Sequence, residues 1–210
     1  MVARRVWEIV DGSRLRLMCK IINTKRKIRV RIISGTARGR KLKEPVGDSI
    51  RPTSDRVKES VYNIIQFDVE GRRVLDLFAG SGQYGIETLS RGARSAVFVD
   101  SASEAVKLVK ENLKTTGFSE FASVYARDAL RFLEGEEKFD LIFIDPPYET
   151  ALASRAIAKI VEFDKLNING IIVCEIKADE VSPVVTHPYI LEKEYKYSGV
   201  KIVKYTRESN

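Results

Sequence analysis

Histidine occurs once in this chain of 210 residues, at His187, and cysteine only twice. A single imidazole cannot build a histidine-rich zinc centre, and it argues against a nucleophile activated by a histidine base. Cys19 and Cys174 lie far apart in sequence, and Cys174 sits in the apolar run GIIVCEI, which suits a buried reduced thiol better than a disulfide or a metal ligand. No metal is expected. No apolar run approaches the roughly 20 residues that a membrane helix requires, and the N-terminus shows neither the apolar core nor the small-residue cleavage site of a secretion signal. A soluble, cytoplasmic protein is expected, monomeric because no exposed apolar stripe demands a partner.

Acidic residues are scarce at one end. Residues 1–58 carry 17 Lys and Arg against 5 Asp and Glu, whereas the other 152 residues carry 19 against 24. Such a local excess of positive charge points to a polyanionic partner, because each neutralised phosphate releases counterions and adds affinity that does not depend on sequence.

Residues 1–27 form a basic extension without a clean period and are left unassigned. From Lys27, KIRVRIISG alternates with period two, TARG supplies turn chemistry and RKLKEP resumes, so 28–50 reads as a small basic β-hairpin. Val57, Val61, Ile64 and Ile65 then recur at helical spacing, in a helix expected to carry Arg56 and Lys58 near its exposed N-terminal end. Beyond it, strands (72–78, 95–100, 122–126, 139–145, 170–176) alternate with helices (to about 91, 102–116, 128–134, 151–162). This rhythm predicts an α/β fold with a mainly parallel sheet and helices on both of its faces. The last segment breaks the rhythm with two alternating runs around Ser198-Gly199, an antiparallel hairpin on the sheet edge.

The first strand-to-helix turn reads DLFAGSGQYGIE, placing Gly80, Gly82 and Gly85 where the backbone must approach a ligand. Asp100, twenty positions past Gly80 and at the end of the next strand, is placed to accept bonds from ribose hydroxyls. These features alone also fit a dinucleotide-dependent oxidoreductase using NAD. Asp76 tilts the balance, because a carboxylate at that strand end opposes a pyrophosphate but can hold a cationic amino-acid moiety. Asp128 follows the third strand and is placed to bind an adenine edge. Acids at the tips of strands one to four suit a cationic adenosyl ligand, S-adenosylmethionine, and here the sequence resembles the class I methyltransferases. That resemblance implies a Rossmann-like, seven-stranded sheet ending in an antiparallel hairpin, and a cofactor site made of Asp76, Phe78, Gly80, Ser81, Gly82, Gly85, Asp100, Asp128 and Ala129.

Only six prolines occur, yet two of them are adjacent, in FDLIFIDPPYET at 139–150. A Pro-Pro pair cannot continue a hydrogen-bonded ladder and leaves the strand by a rigid, extended exit. Asp145-Pro146-Pro147-Tyr148 resembles the D-P-P-Y motif of methyltransferases that modify exocyclic or amide nitrogens. Such an amine is a poor nucleophile, because its lone pair is conjugated, so acceptors are needed to hold its hydrogens. Asp145 and the Pro146 carbonyl would be those acceptors, with Tyr148 stacked on the extruded base. Methylation at a pyrimidine C5 is disfavoured, since neither cysteine is placed as the nucleophile that reaction needs.

The segment 31–65, RIISGTARGRKLKEPVGDSIRPTSDRVKESVYNII, narrows the substrate. Gly35, Gly39, Arg40 and Leu42, followed by Arg51, Pro52, Thr53, Arg56 and Glu59, closely resemble the start of the RsmD family of 16S ribosomal RNA guanine-N2 methyltransferases. The resemblance covers roughly 28–205 and includes DLFAGSG and LSRGA; it departs at Gln83-Tyr84, where the family usually has small or aliphatic residues. It implies a methyltransferase domain over 51–210 acting on small-subunit rRNA, free or within the 30S subunit, with Arg38, Arg40, Lys41, Arg51, Arg56 and Lys58 meeting RNA phosphates. The rival readings are an N-methyltransferase for adenine N6 in DNA or RNA, the NAD-dependent oxidoreductase, and a non-catalytic RNA-binding module.

Overall fold

The computed structural model describes residues 8–10, 14–16, 30–44, 55–147 and 151–209, with 8–10, 14–16, 55 and 56 described by their backbone only. Near the N-terminus, β1 (Glu8–Val10) pairs antiparallel with β2 (Arg14–Arg16). After α1 (Asp55–Ile64) the chain alternates: β3 (Arg73–Asp76), α2 (Gln83–Ser90), β4 (Ser95–Asp100), α3 (Ser103–Thr116), β5 (Ala122–Ala126), α4 (Ala129–Phe132), β6 (Phe139–Ile144), α5 (Leu152–Glu162) and β7 (Leu166–Lys177). β8 (Tyr189–Tyr197) and β9 (Val200–Arg207) close the sequence.

Seven of these strands form one sheet in the order β5-β4-β3-β6-β7-β9-β8. The first five are parallel and β9 runs antiparallel to both of its neighbours. The order reverses between β3 and β6, so the carboxyl ends of β3, β4 and β6 open into one crevice, where open α/β sheets bind ligands. Among the described residues no helix is long and apolar enough to cross a membrane.

Alternation along the strands divides the core in two. Val74, Phe98, Leu141, Phe143 and Val173 face α1, α2 and α3, whereas Leu75, Val97, Ile142, Ile144 and Cys174 face α4 and α5. Both sets are almost fully buried, which is why the parallel strands read as continuous apolar runs. Burial pushes the Cys174 thiol well above its ordinary range, with Asp145 adding to the effect. Cys19 lies outside the described residues.

The strand expected at 72–78 and the helix expected at 128–134 are shorter, Arg73–Asp76 and Ala129–Phe132, and two further elements differ more from the sequence reading. β7 starts at Leu166 rather than at 170, because Leu166 pairs with Phe139 ahead of a register shift, and the polar Asn167 and Asn169 hide that beginning. The basic hairpin is less regular than expected, with a single antiparallel bridge between Arg31 and Lys41. The physical reason lies in α2. Ile33 N and Ser34 N donate to the carboxylate of Glu87 at 2.7 and 2.9 Å, and Thr36 N donates to the Ser90 carbonyl at 2.8 Å. These N–H groups are satisfied by a helix instead of a second strand. Gly35 makes the approach possible: its φ is +81°, and a Cβ there would lie 1.7 Å from the Ser90 carbonyl oxygen.

Candidate active site

β3 delivers Asp76 to the crevice with 2% exposure. Its Oδ2 accepts the Gly85 N–H at 2.9 Å, which ties the strand end to the first turn of α2. Burial raises this carboxyl from 3.8 to about 7, the Gly85 hydrogen bond working against the rise and the charge of Asp100 adding to it. The turn between them is fixed by its glycines. Gly82 caps α2 in the left-handed region at φ 77°, where a side chain would be strained. Gly85 packs so tightly that a Cβ would sit 2.2 Å from the Phe98 ring.

Asp100 closes the turn from the neighbouring strand. Its Oδ2 accepts the Gly80 N–H and its Oδ1 the Ala102 N–H, both at 2.9 Å. Ser81 is held from behind, its carbonyl accepting from Asn112 Nδ2 at 2.9 Å. Asn112 also exchanges two hydrogen bonds with the Lys43 backbone, so one side chain of α3 joins the glycine turn to the basic segment 30–44. Phe78 is half-buried beside the turn and Ala129 is buried. Asp128 lies on the exposed side, capping α4 by accepting the Arg131 N–H at 2.9 Å.

These residues suit a cationic adenosyl ligand. A buried carboxylate beside a second one favours bound positive charge and repels a pyrophosphate. A Cβ on Gly80 would meet none of the described residues within 4 Å, so among them the turn borders open space. Next to it Gln83 holds a shielded Oε1 with no hydrogen-bond partner among the described residues, an acceptor suited to an ammonium donor.

β6 carries the second half of the crevice. Ile144 ends the strand, Asp145 is half-buried, Pro146 is buried and Pro147 is exposed, so the acid stands at the rim on a rigid exit. Tyr148 lies outside the described residues. Below the acid, Tyr84 from α2 stacks on Phe143, with centroids 4.9 Å apart and planes at 12°. Its hydroxyl donates to Glu175 Oε2 at 3.2 Å, and its carbonyl accepts the Tyr62 hydroxyl at 2.6 Å. Burial drives the Tyr84 hydroxyl far above its ordinary range, with Glu175 and then Asp145 adding to the shift.

Of the residues expected to meet RNA, Arg38, Arg40 and Lys41 are exposed, Arg40 donating to the Thr115 carbonyl at 3.1 Å. Arg51 and the Arg56 side chain lie outside the described residues. Lys58 is a correction: it is fully buried, its Nζ donating to the Arg31 carbonyl at 2.7 Å and lying 4.0 Å from Glu87. It anchors the appendage from inside and does not face a phosphate. The sequence reading also missed Glu87, Asn112, Tyr62 and Glu175. Glu87 is fully buried, facing Lys58 and Arg91, and a lone Glu on an otherwise apolar helix face is the signal that would have found it.

With this geometry in view, the comparisons with known proteins are specific. The family model described as "Conserved hypothetical protein 95" matches residues 30–206. YlbH of Bacillus subtilis is 41% identical over 181 residues, covering 83% of this chain and 98% of the relative. The ribosomal RNA small subunit methyltransferase D of Haemophilus influenzae is 38% identical over 173 residues, covering 80% of this chain and 89% of its own. The solved structure of yhhF from Escherichia coli superposes with a TM-score of 0.77 at 31% identity, covering 87% of this chain and 99% of that one. The chain therefore belongs to the Conserved hypothetical protein 95 family, the RsmD family of class I methyltransferases.

Proposed function

We propose that this protein transfers a methyl group from S-adenosylmethionine to the exocyclic N2 of a guanine in small-subunit rRNA. The observation that carries the reading is the convergence at one crevice of the Asp76–Asp100 glycine turn with Asp145-Pro146 at the adjoining end of β6. The names of its relatives support rRNA as the acceptor. Residues 51–210 are the transfer unit and 28–50 its basic appendage; the enzyme works in the cytoplasm, as a monomer, on rRNA carried in the small subunit.

When bound, the cofactor supplies an electrophilic sulfonium methyl group with a good leaving group, so the chain's task is to position the amine. Asp76 and Gln83 would hold the cationic amino-acid end, while Asp100 and Asp128 would hold the ribose and adenine. The Asp145 carboxylate and the Pro146 carbonyl accept the two N2 hydrogens, which turns the nitrogen lone pair toward the methyl group. Tyr148 stacks on the extruded base, worth about 1–3 kcal/mol and comparable to the cost of extruding it. Exposed Arg38, Arg40 and Lys41 hold flanking phosphates without reading sequence.

The test is methyl transfer from labelled S-adenosylmethionine to small subunits that lack the modification, followed by nucleoside mass spectrometry. Label in N2-methylguanosine is the expected result. Label in N6-methyladenosine would move the acceptor to adenine, and the absence of label from any RNA would refute the assignment.

A further inference from the structure

Three buried side chains, Glu87, Ser90 and Asn112, hold the basic segment 30–44 on α2 and α3. Ser90 works from the last residue of α2, its Oγ accepting the Ala37 N–H at 3.0 Å and donating to the Ser34 carbonyl at 2.6 Å. Asn112 works from α3, and of the three it alone also bonds to the glycine turn.

Asn112 has no exposed surface, and every polar atom of its amide is engaged. Its Oδ1 accepts the Lys43 N–H at 2.8 Å, while its Nδ2 donates to the Lys43 carbonyl at 3.0 Å and to the Ser81 carbonyl at 2.9 Å. Lys43 thus has both of its backbone groups satisfied as a neighbouring strand would satisfy them, and the same nitrogen ties in the turn. The site presents one donor and two acceptors. An amide answers all three, whereas a hydroxyl has one proton to give and an ionised carboxylate has none. The turn also packs on the same stretch of α3, since a Cβ on Gly82 would lie 3.3 Å from Val109 Cγ2. Val109 and Asn112, neighbours on one helix face, therefore hold Gly82 by contact and Ser81 by hydrogen bond.

We propose that Asn112 is a positioning residue serving both substrates of the reaction, holding the glycine turn in shape for the cofactor and the basic segment in register for RNA. The inference rests on the cofactor and rRNA reading above. Being fully buried, Asn112 acts through other groups: through the Ser81 carbonyl on the turn, and through Lys43 on the segment that carries Arg38, Arg40 and Lys41. Ser90 supplies the contrast. It is equally buried and anchors the same segment, but it stands about 10 Å along α2 from the turn.

The experiment uses the full-length protein, S-adenosylhomocysteine and small subunits that lack the modification. Asn112→Ala is expected to weaken S-adenosylhomocysteine in calorimetry by about 3- to 10-fold, the effect of losing one net hydrogen bond, and to weaken subunit binding by a similar factor. The salt dependence of subunit binding should keep its wild-type slope, because no phosphate contact is removed. With both substrates saturating, single-turnover transfer should stay within about threefold of wild type, because the groups on β6 are untouched. Ser90→Ala should weaken subunit binding yet leave S-adenosylhomocysteine affinity within about twofold. A purely structural role would shift the denaturant midpoint of both variants without separating their cofactor affinities. Wild-type cofactor affinity in Asn112→Ala would overturn the assignment, as would an equal loss of it in Ser90→Ala. Asn112→Ser, which keeps one donor, should fall between wild type and Asn112→Ala; it carries the same test if the alanine variant does not fold, and wild-type cofactor affinity in it would then overturn the assignment. If the wild type bound neither S-adenosylhomocysteine nor the small subunit, the functional reading itself would fail and this inference with it.

Discussion

The two halves of the crevice use their acids differently. On the β3–β5 side, Asp76, Asp100 and Asp128 each accept backbone N–H groups of the chain itself, from Gly85, from Gly80 and Ala102, and from Arg131. On the β6–β7 side, Asp145 runs into two prolines, and Glu175 receives a side-chain hydroxyl from another element. The first half folds its carboxylates into the turn, which suits one invariant ligand. The second carries its acids at strand ends, Glu175 held by the Tyr84 hydroxyl and Asp145 followed by two prolines, which suits an acceptor that must enter, react and leave. Cofactor binding and acceptor chemistry should therefore be separable by mutation.

The largest effect is expected at Asp145. Its replacement by Ala should lower single-turnover transfer at least about 10²–10³-fold, the usual cost of losing one aligned electrostatic contact, while S-adenosylhomocysteine affinity hardly changes. Equal loss of both quantities would erase the proposed division. Gly85→Ala sharpens the comparison from the other side. The added methyl group would overlap the buried Phe98 ring, so about 1–3 kcal/mol of stability should be lost in denaturant titration, and cofactor affinity with it.

Asp76 yields a pH test with two opposite signs. Folded, it keeps its proton up to about pH 7; its ordinary value is 3.8. Its contribution to the stability of the cofactor-free protein is therefore full below pH 3.8 and is lost as pH rises to about 7, a decline that Asp76→Asn should flatten. Affinity for S-adenosylmethionine should move the other way, tightening as the carboxyl ionises toward pH 7, which calorimetry across pH 5.5–8 would reveal, about tenfold per pH unit at most. The smallest effect belongs to the appendage. Arg38→Ala with Lys41→Ala should reduce the salt dependence of RNA binding by about one unit of log–log slope per contact and leave cofactor affinity unchanged.

Much of the fold was readable because both sheet faces are apolar and the turns are marked. β4 and β5 begin and end where their alternation does, and the β8–β9 hairpin turns at Ser198-Gly199 as its pattern implies. The glycine turn and its acids were equally legible, since Gly80, Gly82 and Gly85 announce a backbone constraint and strand tips announce carboxylates. What stayed hidden depends on tertiary partners. Lys58 stands near Arg56 at the start of a helix and reads as solvated, and only the fold sets Glu87 and the Arg31 carbonyl around it. Tyr84 reads as an aromatic helix residue, and nothing local shows that its ring lies on Phe143 with its hydroxyl at Glu175. Glu175 lies 30 positions beyond Asp145 and becomes its neighbour through a parallel crossover.

The central claim is the division of labour along the crevice, and one crossed measurement tests it most directly. Cofactor affinity by calorimetry and single-turnover transfer at saturating S-adenosylmethionine would be determined at pH 8 for wild type, Asp76→Asn and Asp145→Asn. The account requires Asp76→Asn to lose affinity yet retain most of the transfer rate once saturated, and Asp145→Asn to retain affinity yet lose the rate. Parallel losses of affinity and rate in both variants would contradict it.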